Sequence, residues 1–377
     1  MKIIKINISQ CDTPFKFAFH SPHTVRIQSD SIVVELQFDN DISGYGESAP
    51  RSYVTGETSS AVTDTIQDIF STTLFCSEIN SINDVKRTLD ALERKFRDRN
   101  LNSYNSALGA IDIALLDAMG KLEGVPLHHY LGPIVKENMT SSLSIPFLHE
   151  SIIMELYPEL KRLEVDSLKI VMGEVERDNI ERVMMIRALF GDRIDIRIEA
   201  NGKWSVEQAL SHIEELKRFN ISGVEQPVAV GDIGGLQEIR RRTGIPVIVD
   251  ESMCNLSDAE KLIEAKACDI INIKISKCGG LLKSKEIRDF AESKKIPCQV
   301  GAHVGETDIL GRAGRYFAET TRNLFCFEGF SHLLFEDSWE EHFQKRSSSK
   351  ERSLNSGLGV GSAKQRLKLI RSLESQE

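Results

Sequence analysis

The chain has 377 residues, 41% hydrophobic and 27% charged, a balance that suits a globular fold, and no apolar run approaches the roughly 18–20 residues a membrane-crossing helix needs. The net charge of −9 is spread along the sequence, which argues against a nucleic-acid surface, although QKRSSSKERS (344–353) is a local basic, serine-rich segment read as a loop. The seven scattered cysteines lack a C-x-x-C pair and read as reduced thiols, mostly in the core; the opening decapeptide lacks the apolar core of a secretion signal, so the expected location is the cytoplasm.

In chain order, MKIIKINISQ and IVVELQFDN alternate apolar and polar residues like antiparallel strands. SSAVTDTIQDIFSTTL, SINDVKRTLDALERKF and SALGAIDIALLDAMGKLEG follow with three- and four-residue apolar spacing, and Gly124 closes the last as a helix stop. Residues 1–125 therefore read as an α+β domain. The texture then changes to short apolar strands alternating with amphipathic helices, the pattern of parallel βα units. DSLKIV, DIRIEA, SGVEQP, IPVIVDE, CDIINIKI and IPCQVGAH each precede a helix, LFCFEG closes the series and TSSLSIP supplies an earlier strand. That makes eight strands over 126–328, as an α/β barrel of the (β/α)7β, TIM type needs. The polar residues at the strand ends, Lys169, Glu199, Glu225, Asp250, Lys274, His303 and Glu328, fall at intervals of 30, 26, 25, 24, 29 and 25. A near-constant interval delivers one polar group per unit to a single rim; an open doubly wound sheet would gather its ligands at a switch point instead.

Three consecutive units end in carboxylates: Glu199 in RIEANGKW, Glu225 in GVEQPV and Asp250 in VIVDESM. Ionised carboxylates brought side by side repel unless a cation joins them, and a hard divalent ion such as Mg2+ prefers oxygen ligands; local Lys or Arg partners are the alternative. One strand later comes Lys274 in INIKISKCGG. Beside a cation and partly desolvated, its amine is expected to have a lowered pKa and to act as a base, or else to form a salt bridge to Asp250 or Glu251. Together the groups suit abstraction of the proton α to a substrate carboxylate through an enediolate.

KIVMG, EANGKW, VEQPV, VDES and NIKISKCGG, in this order and spacing, resemble the muconate lactonizing enzyme subgroup of the enolase superfamily, which includes dipeptide epimerases and o-succinylbenzoate synthases. GYGESAP (44–50), TGET (55–58) and IDIALLDAMGKLEGVPLHHYLG (111–132) resemble its capping domain. The resemblance implies Mg2+ on Glu199, Glu225 and Asp250, Lys274 as a base, an N-terminal domain that covers the barrel mouth and chooses the substrate, and a segment 329–377 that returns to that domain. It also implies substrate contacts at Asn201 and Glu328, and family members often assemble as homo-oligomers.

Three positions depart from the family. Its second strand usually ends K-x-K, one residue and Gly; counting back from Gly173 gives Lys169 as the first lysine, which supports the substrate electrostatically, and Val171 where the partner base should stand. Glu199 replaces the usual Asp, and the acid pair expected after the eighth strand reads Cys326 and Glu328, which counts against simple dipeptide recognition. His303 in GAHVGET matches a strand where the mandelate racemase branch keeps an acid/base histidine; a hydrogen-bonded supporting role is the other reading, and Glu306 orients it in either case. The leading expectation is a lyase or cycloisomerase acting on a small carboxylate-bearing substrate. The alternatives are a racemase or epimerase of an amino-acid derivative or dipeptide, and a barrel that has lost catalysis and serves as a binding protein.

Overall fold

The computed structural model describes residues 1–20, 24–97, 103–137, 139, 142–147, 150–162, 165–329, 335, 356–359 and 367–375. The serine-rich segment 344–353 lies outside them. In the N-terminal part, β1 (Ile3–Cys11) pairs antiparallel with β4 (Ile32–Phe38), which pairs with β5 (Ser43–Ser48). A shorter hairpin, β2 (Pro14–His20) with β3 (Val25–Gln28), stands apart from this sheet. Helices Ser59–Thr65, Ile82–Arg97 and Asn105–Glu123 follow, and the last ends on Gly124 at φ +68°, the left-handed stop its sequence announces.

Helix Asn105–Glu123 is buried on every side from Ser106 to Gly120, because it lies between two partners. One face meets β5, where a side chain at Gly44 or Gly46 would run into the carbonyls of Ala114 or Ala110. The other meets the barrel, where Asp112 accepts the Leu281 N–H and Gly109 faces Gly280.

The barrel strands are β6 (Ser142–Ile145), β7 (Ser167–Val171), β8 (Asp195–Glu199), β9 (Ile221–Glu225), β10 (Val247–Val249), β11 (Ile270–Ile273), β12 (Cys298–Val300) and β13 (Leu324–Phe327). They run parallel in consecutive order, each followed in β7 to β12 by a helix on the outside. Ordinary capping chemistry starts several of these helices: Ser205 and Gln208 form a reciprocal capping box, and Asp232 and Asn255 accept the N–H three residues on. Inside, Arg197 on β8 hydrogen-bonds both Ser142 on β6 and Cys326 on β13, so one buried guanidinium spans from the first strand to the eighth. A final strand, β14 (Leu367–Glu374), pairs antiparallel with β1 and makes the N-terminal sheet four-stranded, in the order β14-β1-β4-β5.

Two glutamates from the N-terminal segments fasten helix starts. Glu47 of GYGES accepts the N–H groups of Thr307 and Leu310 and the Thr307 hydroxyl, capping helix Asp308–Glu319 of the barrel. Glu57 of TGET accepts the N–H groups of Ser106 and Ala107 at the start of the long helix. All seven cysteines are free, and five of them are buried. No described helix is long and apolar enough to cross a membrane.

Candidate active site at the barrel mouth

Parallel strands in register bring their C-terminal residues to one rim. Glu199 ends β8 and pairs in register with Glu225, which ends β9; Asp250 and Lys274 directly follow β10 and β11. Glu199, Glu225 and Asp250 are buried, and one carboxylate oxygen from each lies within 4.8 Å of the others. Gln226, at φ +36°, takes a left-handed backbone turn that lets its side-chain carbonyl accept the Asp250 and Ser252 N–H groups, which fixes Asp250 relative to Glu225. Asn201, also left-handed at φ +49°, gives its N–H to Glu199 at 2.8 Å and its amide to Glu251 at 3.4 Å, so its contacts here are with carboxylates.

Lys169 stands in the middle of β7 rather than at its end. Its Nζ lies 3.3 Å from Glu199, 3.0 Å from Glu225 and 3.0 Å from Glu328. Burial works against its charge, yet Glu225, Glu328 and Glu199 together hold the ammonium well above the usual lysine range. Val171, two residues on and sharing its face by strand alternation, is buried at the rim and opposite Glu199 in register.

Lys274 Nζ is 2.5 Å from Asp250. This is the salt bridge that the sequence offers as the alternative to a lowered pKa: burial pushes the amine down, but the Asp250 carboxylate outweighs it and the lysine is held above its ordinary range, whereas the lowering expected from the sequence depends on a cation engaging Asp250. Asp250 is itself held far below the carboxylate range, burial opposing, by Lys274 and by Lys277, whose Nζ sits 2.8 Å from Oδ1. Around Lys169, Arg197, Lys274 and Lys277 stand Glu199, Glu225, Asp250, Glu251 and Glu328, and the excess of acid is visible. Burial and the neighbouring Glu225 charge push Glu199 well above the usual range, and burial with Asp250 pushes Glu251 up to about 7. Glu251 Oε2 also has no hydrogen-bond partner. Three hard oxygen donors converging in a buried, over-acidic pocket fit a divalent cation such as Mg2+, which would relieve the repulsion recorded at Glu199.

His303 lies three residues beyond β12. Its Nδ1 is 2.9 Å from the Ala49 carbonyl, its own N–H donates to Glu306 at 2.6 Å, and its Nε2 has no partner. Burial, then the Lys274 and Arg51 charges, push its pKa well below the histidine range, so the ring is neutral with its proton on Nδ1. Ala49 also gives its N–H to Ser276 at 3.0 Å, so one residue of the N-terminal part braces both the Lys274 loop and the His303 loop. Glu328 follows β13 and is paired with Lys169, with Arg197 3.6 Å away.

Arg197, Asn272, Gln299 and Lys277 had no assigned role in the sequence, yet they hold the carboxylates. Asn272 and Gln299 donate to Glu225 at 2.8 and 2.9 Å, and Lys277 grips Asp250. A signal was present: Arg197 and Asn272 stand two residues before Glu199 and Lys274, on the same strand face, as Lys169 stands before Val171.

Two family models cover the chain: mandelate racemase/muconate lactonizing enzyme, N-terminal domain, over residues 3–132, and enolase C-terminal domain-like over 157–365. The sequence is 31% identical over 325 residues to the L-Ala-D/L-Glu epimerase of Francisella tularensis subsp. novicida, spanning 84% of this chain and 88% of that one. The Enterococcus faecalis dipeptide epimerase complexed with Mg and the dipeptide L-Leu-L-Tyr superposes with a TM-score of 0.81 at 28% identity, covering 90% of this chain and 93% of that one. The N-succinyl Arg/Lys racemase of Bacillus cereus superposes at 0.84 with 25% identity, covering 98% and 96%.

Proposed function

Because the chain belongs to the mandelate racemase/muconate lactonizing enzyme family of the enolase superfamily, we propose that it is a Mg2+-dependent isomerase that removes and returns the proton beside the carboxylate of an amino-acid derivative, either a dipeptide or an N-acylated amino acid. The observation that carries this reading is the placement of Lys274 Nζ 2.5 Å from Asp250, at the edge of three converging carboxylates. Glu199, Glu225 and Asp250 would hold the ion. Bound there, a divalent cation neutralises a substrate carboxylate and acidifies the adjacent C–H. Lys274 takes that proton once its amine is neutral, and an Asp250 carboxylate engaged elsewhere no longer holds the lysine protonated. Lys169 faces the same carboxylates and counters negative charge developing on the substrate.

Epimerisation rather than elimination is favoured by the relatives, which are epimerases and a racemase. It needs a proton donor on the second face, and the cationic side chain that β7 offers there is Lys169, since Val171 carries no proton to give. Val171 supports a second reading, in which Lys274 works from one face and the reaction ends as a lyase or cycloisomerase step. Incubation of amino-acid derivatives in D2O with Mg2+, followed by mass spectrometry and chiral separation, distinguishes them. Deuterium at Cα in both configurations supports epimerisation; deuterium with retained configuration, or a new unsaturated or cyclised product, supports the second reading. Deuterium uptake unchanged in Lys274→Ala would overturn both.

A further inference from the structure

We propose that the substrate is an N-acyl amino acid whose acyl portion carries no ammonium group, and not a dipeptide with a free amino terminus; this rests on the reading of the acidic group and Lys274 given above. An ammonium drawn into a buried site needs an anion of its own, since leaving it unpaired costs several kcal/mol. Glu199, Glu225 and Asp250 belong to the cation. Glu328, at the eighth-strand side of the mouth, is already shared: Lys169 Nζ lies 3.0 Å from Oε1 and 3.2 Å from Oε2, Arg197 is 3.6 Å from Oε1, and Gln299 donates at 3.3 Å. Two cations therefore bear on one carboxylate, and handing Glu199 and Glu225 to a metal ion leaves Glu328 as the protein carboxylate still paired with Lys169, while Arg197 stays beside it whatever the substrate brings. Cys326, two residues earlier, cannot stand in, because burial pushes its thiol up to about 12 and Arg197 Nη1 lies 2.7 Å from the sulfur. Glu251 Oε2 has no partner, but Glu251 follows Asp250 and bonds Asn201 beside Glu199, at the acidic end where the substrate carboxylate goes.

At the seventh strand the mouth offers a neutral group instead. His303 is 4% exposed, its Nδ1–H is held by the Ala49 carbonyl, and its Nε2 lone pair has no partner. Such an atom accepts an amide N–H and cannot neutralise an ammonium. The charges bearing on it are Lys274, Arg51 and Lys277 against Asp250, a balance that disfavours a further cation. Among the described residues, then, the sixth-to-eighth-strand side of the site suits a neutral amide: Glu328 is committed to Lys169 and Arg197, and Glu306, the carboxyl of the His303 loop, accepts the His303 N–H and is pushed by burial up to about 8.

Matched pairs differing by one ammonium group provide the test: N-propionyl and L-alanyl forms of the same L-amino acids, with phenylalanine, leucine, glutamate and arginine as the C-terminal residue. The full chain with Mg2+ is titrated calorimetrically with each compound, and Cα deuterium uptake is followed in parallel. The N-propionyl member is expected to bind and exchange at least about tenfold better than its partner. L-Alanyl compounds binding equally or better would overturn the inference while their exchange still supports proton abstraction by Lys274. Preferential N-propionyl binding without exchange in any pair would uphold the inference and overturn the proton-abstraction reading. Failure of every compound to bind would overturn the inference.

Discussion

Lys274 and Asp250 form the tightest ion pair of the site, and this one contact ties the proposed base to a proposed metal ligand. Lys274→Ala is expected to lower Cα proton exchange by about 10²–10⁴-fold, the usual worth of a positioned base, while leaving the fold intact. Glu199 makes a separate prediction. Burial and Glu225 keep it protonated well above the ordinary carboxylate range, so a cation must displace its proton. Mg2+ affinity should therefore rise with pH and binding should release protons, which calorimetry in two buffers of different ionisation enthalpy will record; pH-independent binding without proton release would contradict it. The acidic trio and Lys274 were legible because strand ends recur at near-constant spacing and unpaired carboxylates there are conspicuous. The Lys274–Asp250 ion pair was one of two readings open for that lysine, and choosing between them needs the distance from amine to carboxylate, which no spacing encodes. Arg197 and Gln299 escaped notice because a polar residue inside an apolar strand reads as noise until its face is known.

The parallel strands and outer helices were read from alternation between apolar runs and amphipathic segments, and the long helix's end from Gly124. What sequence periodicity could not give is the close approach at β5. Gly46→Ala would place a methyl group 1.8 Å from the Ala110 carbonyl, so the strand and helix must separate. A loss of about 1–3 kcal/mol is expected in urea denaturation, and an unchanged midpoint would show that the contact is looser than described. Glu57 also acts at this level, as a helix cap supplied from outside the helix it caps. Glu57→Ala should cost about 1 kcal/mol, read from the same unfolding curves. The glutamates of GYGES and TGET stood out as motif residues, yet capping a helix 50 or 260 positions away follows from how β5 and the turn after it pack and not from any local pattern.

Across the whole molecule, the N-terminal part and the barrel meet through buried polar contacts at the Lys274 and His303 loops. Asp112 reaches from the long helix to the Leu281 N–H, just after the Lys274 loop, and burial pushes its carboxyl up to about 7. Its folded pKa exceeds the unfolded value, so its contribution to stability is full below about pH 4 and is lost as pH rises through about 7. Asp112→Asn should flatten that fall, so that melting temperatures of variant and parent diverge between about pH 4 and pH 7 in favour of the variant and run parallel above that range; curves parallel throughout would contradict it. Ala49, bonded to Ser276 on one side and His303 on the other, makes the same junction at the mouth. The centre itself is formed by the ends of three strands and overlooked by a fourth. Anomalous diffraction from crystals soaked in Mn2+ tests it most directly: one strong peak is expected about 2.1 Å from oxygens of Glu199, Glu225 and Asp250, with Lys274 facing the same cavity. A peak bound by other residues, or no peak with the carboxylates still held by the lysines, would contradict it.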